Sequence, residues 1–277
     1  MHISIMNVWA IVPAAGLGKR MGAATPKQYL PLLGKPVLQI TLEKLMDGPQ
    51  IDSIGVALNP EDRYFGELSP GYDSPASTGI ERDASSTVNE AGNMDSNSEG
   101  RMGSNRNRPA LQTTEGGNTR QQSVFNALES VKSRAAADDW ALVHDAVRPC
   151  VLPSDIENLL SECCDHAVGG LLAMPQDNTI KRADDRLHVA ETVDRSVLWQ
   201  ALTPQLFRFG LLHEAMAQAC KQESAVTDEA SAVELLGHSP LLVSGARHNI
   251  KITRESDLAL ASAILSLQLS ASAEVCR

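Results

Sequence analysis

From Val8 to Val12 the chain is apolar without a break, and it then empties into Ala14-Ala15-Gly16-Leu17-Gly18. A short run of that kind, ended by small residues, reads as a buried strand that delivers a loop to one edge of a sheet. Small residues let a ligand come close to the backbone, and their N–H groups can face phosphate oxygens. Lys19, Arg20 and Lys27 follow, in a chain whose formal net charge is −10. A basic cluster on an acidic protein calls for a local anionic partner, and a nucleoside triphosphate answers that description. The loop lacks the spacing of a P-loop. With Gly16-x-Gly18 followed by Met21-Gly22, the third glycine of a dinucleotide fingerprint is displaced by one. The glycines alone fit an ordinary strand-to-helix turn; Arg20 and Lys27 are what such a turn does not need.

Short apolar runs then alternate with helical periodicity. Strands are expected over 8–13, 52–58, 140–144, 168–174 and 241–243, and helices over 36–47, 119–135, 154–165, 207–221, 228–236 and 255–268. Ser154 with Glu157 reads as a capping box, and Thr227-Asp228-Glu229 as a helix start that ends near Gly237. Alternating strands and helices predict an α/β fold, a mostly parallel sheet flanked by helices, which binds ligands at the carboxyl ends of its strands. The loop after Pro13 and the segment after His144 both fall at such ends. The whole of 1–277 is read as a single domain. Residues 66–110 break the rhythm: rich in Ser, Asn, Gly, Asp and Arg, they carry too little apolar surface to offset the entropy of ordering, and a disordered insertion is expected. The segment 174–199 reads as a polar two-stranded excursion turning at Asp184-Asp185; isolated hairpins are marginal, so it is expected to pack against a second subunit.

Aromatic residues are only 4% of the chain, against 43% hydrophobic, as suits an aliphatic interior of helices on a parallel sheet. The acidic balance argues against nucleic acid and membrane surfaces as partners. No window approaches the roughly 18 uninterrupted apolar residues of a membrane span. The N-terminus lacks the basic region and cleavage site of a secretory signal. The five cysteines form no CxxC pair, and two of them, Cys163 and Cys164, are adjacent. Neither a disulfide framework nor a zinc site is expected, and a reducing cytoplasm fits. His144 precedes an aspartate, with no Ser/His/Asp constellation around it.

Five segments stand out together: 13–28 (PAAGLGKRMGAATPKQ), 116–124 (GGNTRQQSV), 143–149 (VHDAVRP), 192–204 (TVDRSVLWQALTP) and 249–254 (NIKITR). With TDEAS at 227–231, the set resembles the 2-C-methyl-D-erythritol 4-phosphate cytidylyltransferases of the non-mevalonate isoprenoid pathway. The first motif alone marks the broader sugar-nucleotide transferases, and the later ones make the likeness specific. The resemblance implies a Rossmann-like nucleotidyltransferase sheet with a protruding β-arm at 174–199 used for dimerisation. It implies transfer of CMP from CTP to the methylerythritol phosphate with release of pyrophosphate. Magnesium or another divalent cation would be held mainly by the CTP phosphates, with Asp145 as the one candidate protein ligand. A phosphate oxygen attacks the α-phosphorus in line, so the protein must hold two polyanions and neutralise developing charge.

Carried over by motif, Arg20 and Lys27 stabilise the transition state, and Ala14, Ala15, Gly16 and Gly18 cradle CTP. Gly117, Asn118, Arg120 and Ser123 match the cytosine and nucleotide segment, and Asp145, Ala146 and Arg148 the contacts near ribose, metal and acceptor. Thr203, Thr227 and Lys251 match acceptor-phosphate positions. Thr179 and Arg195 lie on the arm, which in the family reaches a neighbouring subunit's site; Arg195 and Lys251 would hold the acceptor for attack. A homodimer with arm exchange is the implied assembly. Asn118 and Gln122 stand where many relatives carry acidic residues. Read singly, Arg148 is a surface ion-pair partner, Asp145 a turn cap, Lys251 a solvated strand residue and Arg195 a partner of Asp194; read together, in order, they form one site. A cytidylyltransferase for another polyol phosphate such as ribitol 5-phosphate, and a non-catalytic nucleotide-binding protein of the same fold, are the alternatives; a nicotinamide oxidoreductase fits less well. Some family members carry a fused cyclodiphosphate synthase, for which the residues after the last expected helix leave no room.

Overall fold

Along β1 (Val8–Pro13) the side chains alternate between two apolar compartments, Val8, Ala10 and Val12 facing one and Trp9 and Ile11 the other. A strand buried on both faces belongs in the middle of a parallel sheet covered on both sides. The computed structural model describes residues 6–16, 25–48, 50–68, 108–222, 224 and 226–275. Gly18, Arg20 and residues 69–107 of the expected insertion therefore lie outside the described residues. After β1 come the two-residue strands β2 (Pro31–Leu32) and β3 (Lys35–Pro36), then α1 (Val37–Met46), β4 (Ser53–Leu58), β5 (Ala110–Glu115), α2 (Arg120–Val131) and β6 (Trp140–Val143). Next are α3 (Pro153–Cys163), β7 (Gly169–Pro175), β8 (Ile180–Ala183), β9 (Val189–Val193) and β10 (Trp199–Arg208). The chain continues through α4 (Phe209–Lys221), α5 (Glu229–Leu235), β11 (Leu241–Ser244) and α6 (Glu255–Val275).

The main sheet has the order β11-β7-β10-β6-β1-β4-β5. Every neighbouring pair is parallel except those of β10, which runs antiparallel to both β6 and β7. From β1 the chain adds β4 and β5 on one side and then crosses back to add β6 on the other, so the switch point lies at the carboxyl end of β1. One face is packed by α1 (Leu38, Leu42, Leu45) and α3 (Ile156, Leu159), the other by α2, α4 and α5 (Val124, Leu128, Leu212, Met216, Val233). α6 makes a third, smaller core with α1 through Ala261, Leu265, Val37 and Ile40.

Several expectations need correction. The helix expected from 154 starts at Pro153 with Leu152 as its cap; Asp155, not Glu157, reaches back to the Leu152 N–H at 2.9 Å. The helix expected from 207 begins at 209, because Leu206 and Phe207 belong to β10. β5 is an additional strand, and it begins at Ala110, the last residue of the segment assigned to the insertion. By contrast, α5 starts on Asp228, whose carboxylate accepts the Ser231 N–H at 2.9 Å, and Gly237 follows the helix with φ +84°.

The excursion is a separate two-stranded sheet of β8 and β9. Its turn is held by Asp184, which accepts the N–H groups of Arg186 at 2.9 Å and His188 at 2.8 Å. The four described cysteines are unpaired. Burial pushes the thiols of Cys150 and Cys163 up to about 11 and about 12, so they serve as small apolar side chains.

Candidate active site

The carboxyl ends of β1, β4, β5 and β6 enclose a cleft of about 910 Å³. Its floor on one side is the loop Ala14-Ala15-Gly16. Gln28, buried in a short 3-10 turn, Lys27–Tyr29, donates from Nε2 to the carbonyls of Ala14 at 2.7 Å and Gly16 at 3.1 Å. Asn59, just past β4, donates to the Ala15 carbonyl at 3.4 Å. In a trans peptide the N–H points away from the carbonyl, so the N–H groups of Ala15 and Gly16 turn to the opposite side of the loop. The arrangement suits an anion. Lys27 and Gln28 both line the cleft. Gln28 and Asn59 escaped the sequence reading; the signal available was the position of Gln28 directly after Lys27.

The second wall comes from the turn between β5 and α2. A Cβ on Gly116 would stand 2.4 Å from the Ala15 Cβ, so only glycine lets this turn close against the β1 loop. Ser123, buried in the first turns of α2, accepts the Gly117 N–H at 3.1 Å and donates to the Thr119 carbonyl at 2.8 Å. The Thr119 side chain caps the helix through the Gln122 N–H. Ser123 thus shapes the loop that presents Gly117 and Asn118 to the cleft.

At the centre lies Asp145, 5% exposed, in the turn after β6. Its Oδ1 accepts from Arg120 Nε at 3.1 Å, and its Oδ2 from Arg148 Nε at 3.3 Å and Lys251 Nζ at 2.8 Å. Burial alone would raise its pKa; Arg120, Lys251 and Arg148 overcome that and hold it well below the usual carboxylate range. Arg120 is shared. Its Nη1 and Nη2 donate to Glu229 Oε1 at 2.6 Å and Oε2 at 3.0 Å, and Glu229 is wholly buried. Burial works against the Arg120 charge, but Glu229 and Asp145 outweigh it and raise its pKa. Glu229 points inward because Gln205 on β10 fixes the start of α5, accepting the Ala230 N–H at 2.9 Å and donating to Asp228 at 2.9 Å. Before Lys27 is counted, three cations face two carboxylates here, which suits a polyanionic ligand.

Each single-residue alternative fails at this centre. Arg148 is not a surface ion-pair partner: it is 8% exposed, and its Nη1 donates to the Asn249 carbonyl at 2.7 Å. Burial presses its pKa below the ordinary value despite Asp145. Asp145 does not cap the turn with its side chain, and Lys251, though its side chain is partly in solvent, is paired with Asp145. Arg195 donates to the Asp177 carbonyl, while Asp194 accepts the Ser196 N–H.

Within one chain, Lys27, Arg120, Ser123, Asp145, Ala146 and Lys251 line the cleft, as do Ala14, Ala15, Gly16, Gly117 and Asn118. Arg148 and Thr203 lie buried beside it. Thr179 and Arg195 are exposed on the arm and Thr227 is exposed before α5, and none of the three lines the cleft. Glu229 and His144 were the residues the sequence did not reveal as partners. His144 is part of no Ser/His/Asp constellation, and its hydrogen bonds serve a different purpose.

A small-residue loop and a cluster of fixed cations at the switch point of a mostly parallel sheet define a nucleotidyltransferase. The family model for 2-C-methyl-D-erythritol 4-phosphate cytidylyltransferase matches residues 8–91 and 84–267, and the chain belongs to that family. It is 43% identical over 257 residues to the 2-C-methyl-D-erythritol 4-phosphate cytidylyltransferase of Vibrio parahaemolyticus, covering 93% of this chain and 94% of the relative. It is 41% identical over 251 residues to the Pseudomonas syringae pv. syringae protein of the same name, covering 90% and 92%. Among solved structures, a 4-diphosphocytidyl-2C-methyl-D-erythritol synthase superposes with a TM-score of 0.71 at 32% identity, over 94% of this chain and 98% of the other. The Francisella tularensis cytidylyltransferase gives 0.68 at 33%, over 93% and 99%.

Proposed function

We propose that the protein transfers CMP from CTP to 2-C-methyl-D-erythritol 4-phosphate, forming 4-diphosphocytidyl-2-C-methyl-D-erythritol and pyrophosphate. The observation that carries this reading is the convergence of Arg120, Arg148 and Lys251 on Asp145 beside the small-residue loop, in a chain of this family. The triphosphate lies along Ala14–Gly16, where Lys27 and, from its motif, Arg20 meet the α-phosphate. A phosphate oxygen of the acceptor attacks the α-phosphorus; the bond to the bridging oxygen of pyrophosphate breaks, and pyrophosphate leaves with that electron pair. No covalent enzyme intermediate forms, so the protein contributes position and positive charge. Lys251, whose side chain is 37% exposed, is the cation free to move from Asp145 to an incoming phosphate.

Among the described residues Asp145 is the single carboxylate lining the cleft, and they hold no cluster of three or more His, Cys, Asp or Glu side chains. Such a donor set fits a magnesium ion carried in on the triphosphate oxygens, with Asp145 the one carboxylate within reach, rather than an ion caged by protein. When bound, the ion supplies charge neutralisation across the phosphates.

The working unit we infer is a homodimer with exchanged arms. Thr179 and Arg195 stand away from the cleft of their own chain, and the arm exposes Leu187, Val189, Val197 and Trp199. A hairpin with so much apolar surface gains by packing against a partner. Cytoplasmic residence is consistent with the unpaired cysteines. Among the described residues no helix is long and apolar enough to cross a membrane.

The test is pyrophosphate release with CTP against ATP, GTP and UTP, with methylerythritol phosphate against ribitol 5-phosphate, with and without a chelator. Release that requires CTP, the methylerythritol phosphate and the divalent ion is expected. Preference for ribitol 5-phosphate would change the acceptor, and CTP binding without release in any mixture would leave a nucleotide-binding protein. Mixed dimers of Arg195→Ala and Lys27→Ala subunits regain activity if the arm is exchanged; no regain would sink the exchange.

A further inference from the structure

The cationic cluster is built from segments far apart in sequence, and a ring of buried hydrogen bonds joins them. The Asp145 N–H donates to Thr203 Oγ1 at 3.1 Å. The Thr203 hydroxyl lies 3.1 Å from His144 Nδ1, and His144 Nε2 lies 3.1 Å from the Arg148 carbonyl. Arg148 then donates to the Asn249 carbonyl at 2.7 Å, and Asn249 Nδ2 donates to the Thr203 carbonyl at 2.7 Å, which closes the ring. His144, Arg148, Thr203 and Asn249 are all buried, His144 and Asn249 at 0% and 1% exposure.

Donor and acceptor chemistry, with burial of the imidazole, assigns the protons here. A carbonyl can only accept, so His144 Nε2 carries the hydrogen. Nδ1 of the neutral ring is then an acceptor and takes the Thr203 hydroxyl proton, which leaves the Thr203 oxygen to receive the Asp145 N–H. The contact to the Arg148 carbonyl excludes an imidazole protonated on Nδ1 alone. An imidazolium would meet the same three contacts, with Thr203 accepting twice, and complete burial disfavours that charge, which leaves the neutral imidazole with its hydrogen on Nε2. We propose that His144 is a positioning residue for the transfer reaction, holding the Asp145–Arg148 turn through Thr203 and the Arg148 carbonyl. By doing so it sets where Asp145 presents its oxygens to Arg120, Arg148 and Lys251. On this geometry Thr203 acts from beneath the site through His144 and the Asp145 backbone rather than as a phosphate contact, and the proposal rests on the cytidylyltransferase reading for its kinetic half.

Two measurements on the full chain test it. The first is nitrogen NMR of protein labelled in histidine, at neutral pH, with the His144 resonance identified by its loss in His144→Gln. A neutral ring protonated on Nε2 is expected; an imidazolium, or a ring protonated on Nδ1, overturns the ring. The second compares Thr203→Val, which keeps shape and removes the hydroxyl, with Thr203→Ser, which restores it. Leaving the buried Asp145 N–H without an acceptor is expected to lower kcat roughly ten- to a hundredfold, with KM for both substrates within about threefold, and serine should recover most of the loss. Equal kinetics in the two variants, or a loss confined to the KM of the acceptor phosphate, overturns the positioning role. A wild-type protein inactive with every acceptor, yet with the expected tautomer, would sink the functional reading and the kinetic half with it, and leave the ring established.

Discussion

Replacing Glu229 with glutamine keeps the shape of a side chain that is wholly buried and removes the charge facing Arg120. The carboxylate accepts two N–H groups from Arg120, at 2.6 and 3.0 Å. Glutamine can accept one of them through its carbonyl, but its amide nitrogen then opposes the other. Breaking a fully buried ion pair by removing one partner costs about 3–5 kcal/mol. Here the surviving guanidinium keeps Asp145 and has 29% of its side chain in solvent, so the cost falls below that range, to about 2–3 kcal/mol. In a chain of this length that lowers the melting temperature by roughly 5–10 °C. Thermal melts followed by circular dichroism, with urea unfolding as a second measure, read the effect. The double variant Arg120→Met with Glu229→Leu removes both charges and should recover most of the stability, within about 1 kcal/mol of the wild type, while activity stays lost. A single variant that melts with the wild type would refute the claim that Glu229 anchors Arg120. A double variant no more stable than Glu229→Gln would refute the electrostatic account of that anchor.

Burial holds the His144 pKa down at about 4 from an ordinary 6.5; Arg148 and Asp155 on neighbouring elements and the adjacent Asp145 face it. The unfolded chain therefore binds the proton first. Stability is complete above about pH 6.5 and is lost as pH falls through 4, by on the order of 3 kcal/mol in total. Urea unfolding at pH 7 and pH 4.5 should show this drop, and a drop of the same size in His144→Gln would assign it elsewhere. Gly169 sits at φ +112° with the Leu206 carbonyl 2.1 Å from where a Cβ would stand, so Gly169→Ala should cost roughly 3 kcal/mol or more; a wild-type melt would contradict it. Lys27→Ala should lower kcat far more than it weakens CTP binding, because its charge meets negative charge that grows in the transition state. Calorimetric loss of CTP affinity with kcat intact would remove that role.

Much of the fold is written in apolar spacing. The strands β1, β4, β6 and β7 are nearly continuous apolar runs because they are buried on both faces, and they are found within a residue or two of where they are expected. β5 escaped because it is the edge of the sheet: ALQTTE carries one large apolar residue, and its side chains are partly exposed on both faces. β10 escaped for a different reason. Thr203 and Gln205 are polar residues in a core strand because they hold the site, and Pro204 sits where the pairing with β7 shifts register between Ala201 and Gln205. The strand looks unlike a strand because it is also part of the active centre. The site shows the same division. Asp145, Arg148 and Lys251 are recognisable in their motifs, whereas Glu229, Gln205 and Asn249 act only through contacts that span tens of residues or more of sequence.

β7 and β10 are neighbours in the main sheet, and the chain between Pro175 and Trp199 is the arm. The hairpin is therefore a continuation of two strands already paired below it, leaving the sheet at the same end as the cleft. In a ladder of this kind the face of each side chain repeats every second residue. Adding or removing residues in matched pairs near the turn would lengthen or shorten the arm without turning any core residue of β7 or β10 outward. The tip is in this sense a cassette whose length can be changed while the cluster around Asp145 remains as it is.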